Sequence, residues 1–259
     1  MERMIFILSQ EILVRLIRIF TIILILFSNV NAQFLPTSVG VHHKKSSSVS
    51  DESFVLDFNN NDDCTGSCST SFYAEVPWSE NLSTYSVSMW VKSGEDNPTQ
   101  WRAFFNTYTS PANGFQMDSG GSTNYRLNAD AGVTSFGANS LKTTWVHLAV
   151  VAGSSQTKLY YNGSLVSTNN WVETDWNQIE IGRNRNLDRP GNYYLDEVRV
   201  WGAALSESDI KAWMHKPLDN SHTNYSDLKV YFQMNKNSIS GTTLLDVSGN
   251  NNNATMYNS

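Results

Sequence analysis

From Phe54 onward, apolar and polar residues alternate in short runs separated by turn residues, the period of strands that bury one face. Phe54, Leu56 and Phe58 alternate with Val55 and Asp57; Val87, Met89 and Val91 alternate with Ser86, Ser88 and Trp90. In Thr144-Trp-Val-His-Leu-Ala-Val-Val151 apolar residues occupy both sets of positions, which predicts a central strand covered on both faces. Lys158-Leu-Tyr-Tyr161 and Ser164-Leu-Val-Ser167 flank Asn162-Gly163, a dipeptide that accepts φ > 0 at both central positions of a type I′ turn. These two runs predict a hairpin. Tyr193 to Trp201 and Tyr225 to Met234 predict further strands. One short helix is predicted: Ser206 can cap it, Asp209 follows three residues on, and Leu205, Ile210 and Trp213 form an apolar side that ends near His215-Lys-Pro217. About a dozen strands with one small helix predict an all-β fold, a two-sheet antiparallel jelly-roll sandwich.

The N-terminus carries a different pattern. Arg15 and Arg18 precede the apolar core Ile19-Phe-Thr-Ile-Ile-Leu-Ile-Leu-Phe27, which breaks into Ser28-Asn-Val-Asn-Ala32. A basic start, an apolar core of about nine residues and a small residue before the cut predict a secretory signal peptide over 1–32. The alternative is a membrane anchor, which needs about 20 apolar residues; counting from Ile12 lengthens the run toward that figure. Residues 33–50 are polar and Ser-rich and predict a linker. His42 and His43 lie there with no carboxylate or thiol beside them. Residues 51–259 then form one domain. No second apolar stretch follows, so the expected mature chain is secreted and has no membrane span.

Composition narrows the function. Lys+Arg 18 against Asp+Glu 24 gives a net charge of −6, which argues against a nucleic-acid partner. Two cysteines can build neither a disulfide scaffold nor a four-thiolate zinc site. Export would allow Cys64 and Cys68 to form a disulfide that pins the Asp62–Ser71 loop; the short ring it closes would add little stability. A redox or metal pair is the other reading, and it lacks Cys-x2-Cys spacing and a nearby His.

Several segments, taken in order, resemble the laminin G-like jelly-roll domain of the concanavalin A-like lectin/glucanase superfamily. They are Phe54-Val-Leu-Asp-Phe58 with its acidic turn to Asp63, Tyr73-Ala-Glu-Val-Pro77, Tyr85 to Lys92, Thr144-Trp-Val-His-Leu-Ala-Val150 and Leu159-Tyr-Tyr-Asn-Gly163. Ile181-Gly-Arg183, Leu195-Asp-Glu-Val-Arg-Val-Trp201 and Ala204-Leu-Ser206 complete the pattern over about residues 52–234. Leu245-Asp-Val-Ser-Gly-Asn250 is similar to a later turn of that family. The chain departs from the family by inserting Cys64-Thr-Gly-Ser-Cys68 after the acidic turn, and by Asn235 to Ser240 where an acidic, Gly-rich turn is usual. The resemblance implies extracellular ligand binding, with a glycan or a protein as the partner.

The superfamily includes glucanases, whose retaining sites need two carboxylates about 5 Å apart. Asp196 and Glu197 are adjacent, and in a regular strand adjacent side chains point to opposite faces. The expectation is therefore a binding module, not an enzyme. No nucleophile elbow, zinc-protease motif or phosphate loop occurs, and His147 reads as a packed strand histidine. Asp57, Asn60, Asp62 and Asp63 form an Asx-rich cluster of oxygen donors suited to Ca²⁺, and the resemblance adds Asp196 to it. The alternative is a solvated Asx turn, with Asp196–Arg199 or Glu197–Arg183 as an ion pair. For carbohydrate, the candidates are the loop aromatics Trp171, Trp176 and Trp101, which can stack on sugar C–H faces, with Arg183, Asn184 and Arg185 as hydrogen-bonding partners. Trp90, Trp145 and Trp201 are expected in the core.

Overall fold

The computed structural model describes residues 56–59, 72–95, 101–108, 114–185 and 191–257. The expected signal peptide, the linker, Asn60, Asp62, Asp63 and the Cys64–Cys68 pairing all lie outside the described residues. Within them are two antiparallel sheets and one α-helix, the predicted sandwich. No helix among the described residues is long and apolar enough to cross a membrane.

The first sheet has seven strands. Its path runs β1 (Leu56–Asn59), β12 (Asn192–Trp201), β3 (Tyr85–Ser93), β8 (Val146–Ala152), β9 (Thr157–Tyr161), β10 (Ser164–Asn169), and β13 (Leu228–Phe232) pairs with the far half of β12. The second sheet has nine. It runs β14 (Ile239–Ser240), β15 (Thr243–Leu244), β16 (Ala254–Tyr257), β2 (Tyr73–Pro77), β11 (Gln178–Ile181), β4 (Ala103–Asn106), β5 (Phe115–Asp118), β6 (Arg126–Ala129), β7 (Gly132–Ser135). The sixteen strands exceed the expected dozen mainly through β4 to β7 and the two-residue β14 and β15. These are too short for alternation to stand out from the polar loops around them.

One face of each sheet builds the shared core. Tyr85, Val87, Met89 and Val91 of β3, Leu148 and Val150 of β8, and Leu195, Val198 and Val200 of β12 meet Val76, Ile179, Ile181, Phe105, Phe115 and Met117 from the second sheet. Burial of this apolar area is the main stabilising term. The other face of the first sheet buries a smaller cluster. Ala149, Val151, Tyr160, Trp201 and Tyr231 pack under Leu205 and Ile210 of the helix segment, which explains why β8 is apolar on both faces. Trp90 and Trp201 are buried as expected, but against this outer layer, whereas Trp145 precedes β8 and is only half-buried.

Local signals act as read. The helix α1 (Glu207–Trp213) starts at Ser206, whose side chain accepts from the Asp209 backbone N–H at 3.1 Å. Asn162 and Gly163 take φ of 47° and 77° in the β9–β10 turn, and the Asn162 side chain also accepts from the His147 backbone N–H. The expected Tyr225–Met234 strand is a 3₁₀ turn, Tyr225–Asp227, followed by β13.

One expectation fails on backbone geometry. The register of β12 on β3 runs Asp196↔Trp90 and then Arg199↔Ser88, so β12 carries one extra residue, and Glu197 takes φ of 53°. The bulge breaks the alternation. Leu195 and Val198 both face the core, and Asp196 and Glu197 both lie on the opposite face of the sheet.

Beyond α1, His222 is buried between Trp201, at 5.8 Å, and Trp213, at 5.1 Å. Its Nδ1 accepts from the Asn224 backbone N–H at 3.0 Å. Burial holds its pKa below the usual histidine value, Arg199 and Lys216 act in the same direction, and Asp209 and Asp219 oppose them. The folded state therefore prefers neutral His222. Its contribution to stability is present above the ordinary histidine range, near pH 6.5, and is lost as pH falls through it. Buried carboxyls whose pKa is raised act in the opposite direction over the same range, so His222 is read as a difference: between pH 7.5 and 5.5 the melting temperature of His222→Gln should gain a few degrees relative to the native protein. Equal changes in both proteins would overturn this account.

Candidate functional site

The outer face of the nine-stranded sheet carries a connected row of buried polar residues. Core residues alternate along each strand with outward ones: Glu75 on β2, Glu180 on β11, Asn106 on β4, Gln116 and Asp118 on β5, Arg126 on β6. Glu180 and Asp118 have no exposed surface, so each carboxylate needs compensation. Glu180 receives Arg183 at 2.5 Å and the Asn106 side-chain amide at 3.1 Å. Asp118 receives Arg126 through two hydrogen bonds, 3.0 and 3.2 Å, and the Gln116 amide at 2.6 Å. Burial still raises both carboxyl pKa values above the ordinary range, against the lowering effect of these partners.

Each arginine also meets an aromatic ring. The Arg183 guanidinium lies 3.4 Å over Tyr73, whose other neighbour is Tyr257 with ring centres 4.7 Å apart. Arg183 reaches Glu75 as well, at 3.7 Å. Across the same face, Arg126 lies 4.3 Å over Trp101. Tyr257 and Trp101 are each 39% exposed. They are the exposed aromatic ends of two arginine–carboxylate units.

The segment 183–185 crosses the same face over Asn106 and Gln116 toward Gly114 and Asp130, the end of β4 and β5 away from Trp101. Asn106 donates to the Arg183 carbonyl at 3.1 Å, the Arg185 backbone N–H donates to the Gln116 side chain, and the Arg185 guanidinium donates to the Gly114 carbonyl and to Asp130. Asn184, at the middle of the segment, is buried. Of the residues expected to bind sugar, Arg185 and Asn184 thus serve as a strap that covers the polar row, and Arg183 holds the first aromatic unit. Trp171 is half-buried against the core, over Gly132, where a Cβ would come within 3.1 Å of the indole nitrogen. Trp176 is 2% exposed and packs edge-on to Tyr85 and Phe115 at 5.0 and 5.5 Å. It is a core ring and offers no stacking surface, because the polar run around it folds back over the sandwich edge. Trp101, with Arg126 over its ring, is the most exposed of the three.

Tyr73, Tyr257, Glu180, Asp118 and Arg126 were not among the candidates. Phe115-Gln-Met-Asp118 and Gln178-Ile-Glu-Ile181 alternate with period two and would have marked their polar members as one outward row.

The proposed calcium residues are divided. The register pairs Asp57 with Tyr194, two positions from Asp196 on the adjoining strand. Asp196 is 6% exposed, and its one hydrogen bond among the described residues is from the Glu197 backbone N–H at 2.8 Å. Burial, followed by the neighbouring Glu197 charge, pushes its pKa up to about 8. Arg199 lowers it only in part, because that guanidinium is bound directly by Glu197 and donates to the carbonyls of Trp213 and Lys216 at 3.0 and 2.7 Å. The expected Asp196–Arg199 and Glu197–Arg183 pairs are replaced by Glu197–Arg199 and Glu180–Arg183. Among the described residues no group of three His, Cys, Asp or Glu forms a metal cage.

A laminin G-type family model, described as the concanavalin A-like lectin/glucanases superfamily, matches residues 68–211, more than half of the chain. The chain belongs to this superfamily. Among solved structures, this superfamily member is similar to a candidate carbohydrate-binding protein from Bacteroides ovatus, with a TM-score of 0.63 and 19% identity. The match covers 79% of this chain and 58% of that protein, so the chain spans little more than half its relative's length. It is also similar to a native heptameric SAP-like pentraxin from Limulus polyphemus, with a TM-score of 0.50, 16% identity, and coverage of 72% and 94%. At these identities the likeness is one of fold. No curated protein matches the sequence.

The two tryptophans separate by stability. Trp176→Ala should cost about 3–5 kcal/mol, the range for deleting a buried aromatic ring, whereas Trp101→Ala should leave stability within about 0.5 kcal/mol. Urea unfolding of both variants reads this directly, and a stable Trp176→Ala protein would remove Trp176 from the core.

Proposed function

We propose that this superfamily member is an exported, non-catalytic carbohydrate-binding module whose ligand lies on the outer face of the nine-stranded sheet. The observation that carries the reading is the pair of exposed rings, Tyr257 and Trp101, each belonging to an aromatic–arginine unit anchored on a buried carboxylate. Sugars present apolar C–H faces to such rings and hydroxyls to guanidinium and carboxylate groups. Binding is favoured over hydrolysis because Glu180, Asp118 and Glu197 are each committed to an arginine; the bulge that puts Asp196 and Glu197 on one face leaves Glu197 tied to Arg199 and Tyr231. The Bacteroides ovatus protein's described binding agrees with this reading. A glycan array probed with residues 33–259 should give binding to at least one polysaccharide class, lost in the Trp101→Ala, Tyr257→Ala double variant. A blank array from folded protein would sink the proposal and favour a protein ligand.

The same reading includes one structural calcium ion. The buried Asp196, which bonds only the Glu197 N–H among the described residues, with Asp57 two register positions away, fits a hard cation that takes six to eight oxygen ligands. Asn60, Asp62 and Asp63 follow Asp57 directly in the chain and would complete the donor set. Calcium would neutralise the acidic cluster and tie the start of the domain to β12. Millimolar calcium should raise the melting temperature by a few degrees over EDTA, and Asp196→Asn should abolish the shift. Equal melting of the native protein in calcium and EDTA would remove the ion.

A further inference from the structure

Sheet register sets the spacing of the two exposed rings. Tyr257 pairs with Tyr73, the residue beside Ala74, which pairs with Ile181; Ile181 pairs with Phe105, and the Gly182 N–H donates to the Phe104 carbonyl at 3.1 Å. Tyr257, Tyr73, Gly182 and Phe104 therefore lie at one level across β16, β2, β11 and β4. Three strand spacings separate β16 from β4, about 14 Å at about 4.8 Å each. Trp101 lies three residues before Phe104, and the bulge between Ala103 and Phe105 takes up one of them, which leaves a further offset of about 7 Å along the strand direction. The diagonal between the two backbone positions is about 16 Å. A linked pyranose advances about 5 Å, a few single-bond lengths, so one or two sugar units cannot touch both rings and about four can.

Charge selects the kind of sugar. Arg183 is held by Glu180 and Glu75, Arg126 by Asp118 and Arg185 by Asp130, so each of these guanidinium groups already has a carboxylate. Among the described residues these four acids outnumber these three arginines, and the chain as a whole carries −6. An anionic sugar would have to displace an internal carboxylate and enter a negative field. A neutral hydroxyl can instead add to the free edges of these pairs.

We infer that the face binds a neutral linear oligosaccharide of about four units, stacked on Tyr257 at one end and Trp101 at the other and running alongside the Arg183–Arg185 strap. This rests on the carbohydrate-binding reading and adds ligand length and charge to it.

The test is calorimetric titration with cello-, xylo- and manno-oligosaccharides of one to six units, alongside oligogalacturonates of matched length. Affinity for one neutral series should climb to about four units and then level off. Trp101→Ala should reduce tetramer affinity roughly tenfold, toward the dimer value, and leave the dimer's own affinity almost unchanged if it sits on Tyr257. Trp101→Phe should restore most of the loss. A plateau at two units, or a Trp101→Ala effect equal for dimer and tetramer, would overturn the two-platform geometry. Tighter binding of oligogalacturonates would overturn the charge argument. Either result keeps carbohydrate binding, whereas no binding to any member, together with a blank array, removes the parent reading instead.

Discussion

Glu180 and Asp118 sit on the polar side of a sheet and yet have no exposed surface. Burying a carboxylate is costly unless a cation and further donors come with it, and that requirement organises the whole outer face. Arg183 must turn back onto Glu180 three residues earlier, and Arg126 must reach across to β5. Once committed, each guanidinium presents its plane to a ring, Tyr73 in one case and Trp101 in the other. The aromatic surfaces are thus placed by electrostatics beneath them. Asn106 and Gln116 bind the remaining oxygens and also pin the strap of 183–185, which is how the same polar row is both satisfied and covered.

A second solution to the same problem appears on the other sheet. The bulge at Glu197 puts two acids side by side on the outer face. Arg199 takes one of them, and its remaining donors go to the carbonyls of Trp213 and Lys216, holding the chain just past α1 over the sheet. Tyr231 completes the pair by donating to Glu197 at 2.6 Å. Ser86 does similar work at the helix entrance, donating to the Ala203 carbonyl and accepting from the Leu205 N–H. Asp196 keeps one hydrogen bond among the described residues, and burial, with the Glu197 charge, raises its pKa despite the lowering effect of Arg199. Among the described residues the two faces of the sandwich therefore differ in kind: one pairs each buried carboxylate directly with an arginine, and the other pairs only Glu197.

That difference bears on chemistry. Hydrolysis of a glycosidic bond requires a carboxylate free to attack or to donate a proton, while recognition requires donors and acceptors held still. The outer face of the nine-stranded sheet has the second property. Its ion pairs are fixed by side-chain amides and backbone carbonyls, and rigid groups lose little freedom when a ligand arrives.

Alternation, turn chemistry and capping are local, and they were legible. The β9–β10 hairpin, the Ser206 cap, both-face burial of β8 and the two-sheet architecture all follow from residue spacing, because each depends on near neighbours and on the period of the backbone. The short strands β4 to β7 carry too few residues for that period to show. The site depended on contacts that spacing does not encode. Whether Trp176 is a loop ring that stacks on sugar or a core ring turned on Tyr85 and Phe115, which are distant in sequence. Whether Asp196 and Glu197 share a face turned on one inserted residue in β12. Which arginine answers which acid was decided by strand order, which brings β11 beside β4 and sends the chain after Ile181 across β5. The sequence determined by itself the period-two strands and the apolar faces that must be hidden. Only the tertiary structure decided which charges are buried together, because that cost is incurred between strands and not along them.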